Sequence, residues 1–178
     1  HDIFRTLGNL RNLYMSYCGL MQLNTEWFIT TTELRVLSLQ GNRIEKIPYG
    51  TFRFVNLFQD LNLSHNKLQV LDATSFGNMA NLRNLNNIQF NNNQLAKIHA
   101  ASFNLENLPI LLNVNLQNNQ INAIDPDFFD NAINLRTLFL ANNICAQFNF
   151  NDVTNFRNTT RMLLQTCFDN YWVRKEEV

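Results

Sequence analysis

The sequence predicts an α/β solenoid, a chain wound into stacked coils, and three observations carry that expectation. A template of spaced apolar residues closing on Asn recurs along most of the chain. A Phe outside the template keeps the same spacing. Two cysteines follow the point where the template loses phase. Self-similarity at a fixed period is the mark of repeat architectures, in which one unit buries its apolar face only against its neighbours.

The template reads Leu34-x-x-Leu37-x-Leu39-x-x-Asn42-x-Ile44. It returns at Phe58, Leu61, Leu63, Asn66, Leu68, and at Leu85, Ile88, Phe90, Asn93, Leu95. Leu111, Val114, Leu116, Asn119, Ile121 form the next copy, and Leu135, Leu138, Leu140, Asn143 the last. Upstream, Leu10, Leu13, Met15, Cys18, Leu20 fit with Cys in place of Asn. The copies start at 10, 34, 58, 85, 111 and 135, with periods of 24, 24, 27, 26 and 24. Phe28, Phe52, Phe76, Phe103 and Phe129 each fall 8 residues after the last apolar template position, and Phe4 stands one period before Phe28. Chance alternation would not hold phase through so many copies.

These residues resemble the leucine-rich repeat family, in the form of roughly 24 residues per repeat common outside cells. The x-Leu-x-Leu-x part has the period of a short strand, so its Leu residues face inward and its x residues outward. The resemblance implies an arc with short parallel strands on the concave side and irregular or 3-10 structure on the convex side. The template Asn is expected where each coil leaves its strand, donating to and accepting from backbone groups of adjacent turns. Cys18 is expected as a buried member of that ladder. The Phe residues are expected to stack as a convex-side spine. The three-residue spacing of Phe76, Met79, Leu82 and Leu85 predicts a short helical turn there.

Composition agrees. Of 178 residues, 31 are Asn and 26 Leu, and Lys+Arg and Asp+Glu are 14 each. Charged residues are 16%, against an average of about 25%. Zero net charge with 46% apolar residues argues against a basic nucleic-acid surface and against disorder. No apolar run approaches the roughly 18 residues of a membrane span.

Residues 1–144 read as the solenoid, with a half-repeat at 1–9, residues 145–172 as a C-terminal cap and 173–178 as a charged tail. A solenoid exposes its core at an uncapped end. Cys145 and Cys167 lie in the cap as a disulfide or as two buried thiols. The cap, with Cys167-Phe-Asp-Asn-Tyr171, is similar to those of secreted arthropod leucine-rich repeat proteins such as the mosquito leucine-rich immune proteins. The N-terminus shows no cysteine cluster. That predicts a piece of a longer chain or a processed form, a core closed by residues 1–7 alone, or an end that a partner covers. Two sequons, Asn62-Leu-Ser64 and Asn158-Thr-Thr160, are candidate glycan acceptors and favour the secretory route. A glycan at Asn62 would block part of the concave face.

No HExxH, CxxC, GxSxG, GxGxxG or phosphate-loop pattern occurs, and an enzyme is not expected. No cofactor or metal is expected either. His65 beside Asp60 or Asn92 is a candidate small polar site, against the simpler reading of a solvated edge. Asp125 and Asp127 flank Pro126 in a turn.

Function is expected on the outward strand positions. Tyr14, Ser38, Asn62, Gln89, Asn115 and Phe139 form one row. Ser16, Gln40, Ser64, Asn91, Gln117 and Ala141 form the next. Tyr17, Gly41, His65, Asn92, Asn118 and Asn142 form a third, and Arg11, Arg35 and Arg136 share an earlier position. The predicted ligand-binding set is Arg11, Tyr14, Tyr17, Arg35, Gln40, His65, Gln89, Asn91, Asn115, Gln117 and Phe139. Amide rows suit sugar hydroxyls or peptide backbone; they also pair with each other, which is a structural role. Two functions follow: an extracellular module recognising a protein or glycan, with a role in arthropod innate immunity, or a matrix or assembly protein self-associating through its open N-terminal coil.

Overall fold

The computed structural model describes residues 3–71, 83–100, 109–129, 134–151 and 161–173. Six short strands stack in parallel: β1 (Asn12–Tyr14), β2 (Val36–Ser38), β3 (Asp60–Asn62), β4 (Asn87–Gln89), β6 (Asn113–Asn115) and β8 (Thr137–Phe139). Their register puts Leu13, Leu37, Leu61, Ile88, Val114 and Leu138 on one line. The last five of these are buried, and with the flanking template residues they form one continuous core. The strands are short because each coil turns away from the sheet three residues after its strand ends. There Tyr17, Gly41, His65, Asn92, Asn118 and Asn142 take φ between 54° and 69°. Left-handed backbone suits Gly and, among other residues, Asn best. This position is therefore a turn requirement, which gives Asn a structural use beyond the ladder.

The ladder itself is in place. Asn42, Asn66, Asn93, Asn119 and Asn143 are all buried. Asn66 is representative: its amide donates to Leu39 O at 2.9 Å and to Leu63 O at 3.0 Å, and its Oδ1 accepts from Ile44 N at 3.0 Å. Each Asn thus bonds a carbonyl of the coil before it, one of its own coil and an N–H of the coil before it. Cys18 departs from the expectation: it is exposed, not buried. It belongs to the first described coil, with no earlier ladder carbonyl for it to meet, and its thiol donates only to Ser16 O at 3.4 Å. Asn42 still makes the usual ladder bond to that coil, accepting from Leu20 N, and accepts from Cys18 N as well, at 3.0 Å each.

On the convex side, 3-10 turns span Thr25–Phe28 and Pro126–Phe129. Asn24 caps the first by accepting from Glu26 N at 2.9 Å. The spine begins at half-buried Phe4, which meets Trp27 at 5.5 Å, and runs through Phe28 and Phe52 at 5.6 Å to Phe58 at 5.3 Å. Phe28, Phe52 and Phe58 are fully buried, as is nearly all of Phe128. Phe76, Phe103 and the Phe129 side chain lie outside the described residues, as does most of the expected helical turn from Phe76 to Leu85.

The flank where coils descend from the sheet carries a second, two-stranded parallel pairing, β5 (Lys97–Ile98) with β7 (Ala123–Ile124), extended by a bridge from Leu71 to Ile98. At the C-terminal end β9 (Asn149–Phe150) runs antiparallel to β8 and ends the sheet. Helix α1 (Gln165–Val173) packs on β7. Cys167, Phe168 and Tyr171 are its buried stripe, at the spacing of one helix face, and Leu164, just before it, is buried as well. Cys145 and Cys167 form a disulfide, with Cα atoms 5.1 Å apart. Asn170 donates to Asn122 O at 2.8 Å, and the Tyr171 hydroxyl lies 3.0 Å from His99 Nδ1. The helix runs through Val173, one residue into the stretch read from sequence as tail.

Candidate recognition surface

The parallel sheet displays its outward side chains in rows because each strand repeats the register of its neighbour. At its N-terminal end Tyr14 is 67% and Tyr17 72% exposed, although both lie at the sheet. Tyr17 is positioned by its neighbours. Its ring lies over Gly41, where an added Cβ would fall 2.2 Å from a ring carbon. Its hydroxyl accepts from Gln40 Nε2 at 3.1 Å. Gln40 Oε1 accepts in turn from Asn62 Nδ2 at 3.5 Å, and Asn62 Oδ1 accepts from Ser64 N at 2.9 Å and Ser64 Oγ at 2.7 Å. Ser16 and Ser38 hydroxyls meet at 3.1 Å beside this chain. A side-chain network thus crosses three strands and holds one aromatic ring at the surface, which lowers the ordering cost of binding there.

Further along the face the amides divide into two groups. Asn115 Oδ1 accepts from Gln117 N at 3.1 Å, repeating the Asn62 turn, and Asn142 donates to Asn118 Oδ1 at 2.8 Å. His65 stands exposed with its Nε2 3.3 Å from Asn92 Nδ2. Of the two neighbours considered for His65, Asn92 is thus in reach; Asp60 instead accepts from Asn87 at 2.7 Å. Gln89 is exposed, and Asn91, Gln117 and Phe139 are half-buried. Asn91 Oδ1 and Arg35 Nε are buried without a hydrogen-bond partner among the described residues, so neither atom is open to a ligand in this geometry. Arg11 and Arg35 each precede a strand by one residue, and the carbonyl of each receives two N–H groups of the next coil. They therefore stand at the entrance edge of the sheet.

A further row is central to the face and is absent from the predicted set: Asn12, Val36, Asp60, Asn87, Asn113 and Thr137. Asp60–Asn87 and Asn113–Thr137 are bonded pairs, the second at 2.5 Å. The sequence carries the signal for this row, since these residues sit one position before the first strand Leu in every copy. Ser38 and Ser64, by contrast, are buried although their positions point outward.

No group of three or more His, Cys, Asp or Glu is placed to hold a metal ion among the described residues. None of the described helices is long and apolar enough to cross a membrane.

Comparison with known proteins agrees with the architecture. The leucine rich repeat family model matches residues 32–86. Lumican of Gallus gallus is 34% identical over 110 residues, 62% of this chain and 31% of lumican. Keratocan of Danio rerio is 32% identical over 142 residues, 80% of this chain and 38% of keratocan. The chain therefore spans about a third of the length of these curated relatives. Among solved structures, the Toll–Spatzle complex, a molecular hub in Drosophila development and innate immunity, superposes with a TM-score of 0.69 at 27% identity, covering 75% of this chain and 17% of that one. With the repeat template, the stacked parallel strands and the buried Asn ladder, these matches assign the chain to the leucine-rich repeat family.

Proposed function

We propose that this chain is an extracellular recognition module that binds a protein, or a glycan, through its concave face, anchored at the Tyr14–Tyr17 end. The observation that carries the reading is the pair of largely exposed tyrosines, one of them held by Gln40 and seated on Gly41. Exposed tyrosines in a rigid setting serve as interface anchors because they offer area and a hydroxyl at small entropy cost. A role in arthropod innate immunity is supported by the likeness to Toll. The disulfide supports an oxidising, extracellular compartment. Asn62 and Asn158 are proposed glycan acceptors; Asn158 lies outside the described residues. Cross-linking mass spectrometry on the native protein identifies the partner and reads glycan occupancy at Asn62 in the same spectra. With that partner, Tyr14→Ala and Tyr17→Ala are each expected to weaken binding by about tenfold or more, with Tm nearly fixed. Unchanged affinity in both variants rejects the anchor.

The second reading is self-association through the N-terminal coil. It is supported by Leu10, Leu13, Met15 and Leu20, which are only partly buried, and by β1, which ends the described sheet. Light scattering across concentration decides it: a monomer at every concentration eliminates assembly.

A further inference from the structure

We propose a second binding site on the descending flank of the first three coils, a groove that takes an acidic amphipathic peptide segment of a protein partner. It is independent of the concave face.

The groove encloses about 940 Å³. Met21, Tyr49 and Val70 line it and are 62%, 73% and 54% exposed. An apolar strip of this kind on a protein surface marks an interaction site more often than scattered single residues do. Arg43, Lys46 and Lys67 stand along it against one acid, Glu45. The whole chain balances 14 basic with 14 acidic residues, so this local excess of two positive charges is a real asymmetry. Basic heads beside apolar ground match a segment that alternates acidic and apolar or aromatic side chains. A polysulfated sugar would satisfy the cations and leave the strip unused.

The repeat itself shows what this flank accepts. Lys46 and Val70 occupy the coil position held by Lys97 and Ala123 further along, four residues after the ladder Asn. At those later coils the protein covers the flank with its own helix. Tyr171 brings its ring 4.9 Å from Lys97 Nζ, and Asn170 donates to the Asn122 carbonyl. Among the described residues, the same surface continues without such a cover into the groove, where Lys46 offers an aromatic side chain the contact that Lys97 gives Tyr171. The proposed peptide therefore extends along the flank a mode of packing that α1 already uses.

The test is fluorescence anisotropy with a labelled synthetic peptide of about 12 residues alternating Glu or Asp with Leu or Trp. Its companions are a peptide carrying Lys in place of each acid and a labelled heparin fragment. The acidic amphipathic peptide is expected to bind, to lose at least about tenfold affinity with Lys46→Glu/Lys67→Glu, and to lose several-fold with the uncharged change Val70→Ser. The control Arg161→Glu, a charge reversal on an exposed residue of the cap, is expected to leave binding as it was. Circular dichroism melts confirm that the variants fold. No saturable binding to the wild type overturns the proposal, as does equal binding of the Lys peptide. Heparin binding that Val70→Ser leaves intact, with no peptide binding, overturns it in favour of a polyanion site.

Discussion

At the scale of a residue, each ladder asparagine joins two coils. Asn93 donates to Leu63 O of the coil before and Phe90 O of its own, both at 3.0 Å, and accepts from Leu68 N at 2.9 Å. All of this is buried. No other side chain of that size both donates twice and accepts; Asp would present a carboxylate to two carbonyl oxygens. Asn93→Ala would leave the buried Leu68 N–H without its acceptor, while Leu63 O and Phe90 O would keep only the Asn66 and Asn119 donors. A loss of about 2 kcal/mol is expected, mostly from the unsatisfied N–H, read as a shift of the urea midpoint. The next amide along the chain, Gln94, is exposed and so is no substitute. Asn93→Asp is expected to cost at least as much. A loss below about 0.5 kcal/mol, the range of ordinary surface changes, would show that water or a neighbouring amide takes over the ladder bonds.

At the scale of an element, the strands, the ladder and the first half of the spine are legible in the sequence because each depends on a position inside the repeat. Leu37, Asn66 and Phe52 are fixed by phase alone. The turn row is only half legible: Asn92, Asn118 and Asn142 read as surface amides until their φ values show a backbone requirement. Cys18 misleads because the template does not say whether another coil lies beyond it. β9 and α1 depend on contacts outside any repeat, and the β5–β7 pairing falls at one repeat position, four and five residues after the ladder Asn, that the template leaves unmarked. Even so, the spacing of Leu164, Cys167, Phe168 and Tyr171 is a helical signal in the sequence. That helix has a measurable signature. Burial, together with a hydrogen bond to Asp125 and the charges of Asp125 and Asp127, pushes the Tyr171 hydroxyl from 10.0 up to about 12. The unfolded chain ionises this group near 10 and the folded chain only near 12. Stability is thus undiminished below pH about 10, falls between about 10 and 12 as the unfolded state loses its proton first, and levels off above. Tyr171→Phe is expected to remove this group's part of the fall. Denaturant melts across that window measure the difference; identical slopes for wild type and variant would mean that the hydroxyl is not held by Asp125 in solution.

At the scale of the whole molecule, a stack in which each coil touches its neighbours loses order from its ends before its middle. The two ends differ. At the N-terminal end Leu13 and Met15 are half-buried. At the other, β9 turns back on β8, α1 covers β7, and the Cys145–Cys167 disulfide ties the start of the cap to its helix across 22 positions. A crosslink over a loop of that size is worth roughly 3 kcal/mol in the chain-entropy model. The free energy is local in its effect, because the loop it closes contains β9 and leads into α1 while β2 and β3 lie several coils away. Cys145→Ser/Cys167→Ser is therefore expected to leave the fold intact and to speed amide exchange in β8, β9 and α1 first. Exchange in β2 and β3 should change much less, as hydrogen-exchange mass spectrometry of the two proteins would show. A uniform acceleration along the chain would instead mean that the coils open as one cooperative unit. The recognition face would then depend on the distant cap for its order, and loss of the disulfide would weaken binding at Tyr14 and Tyr17 as well as loosening the C-terminal end.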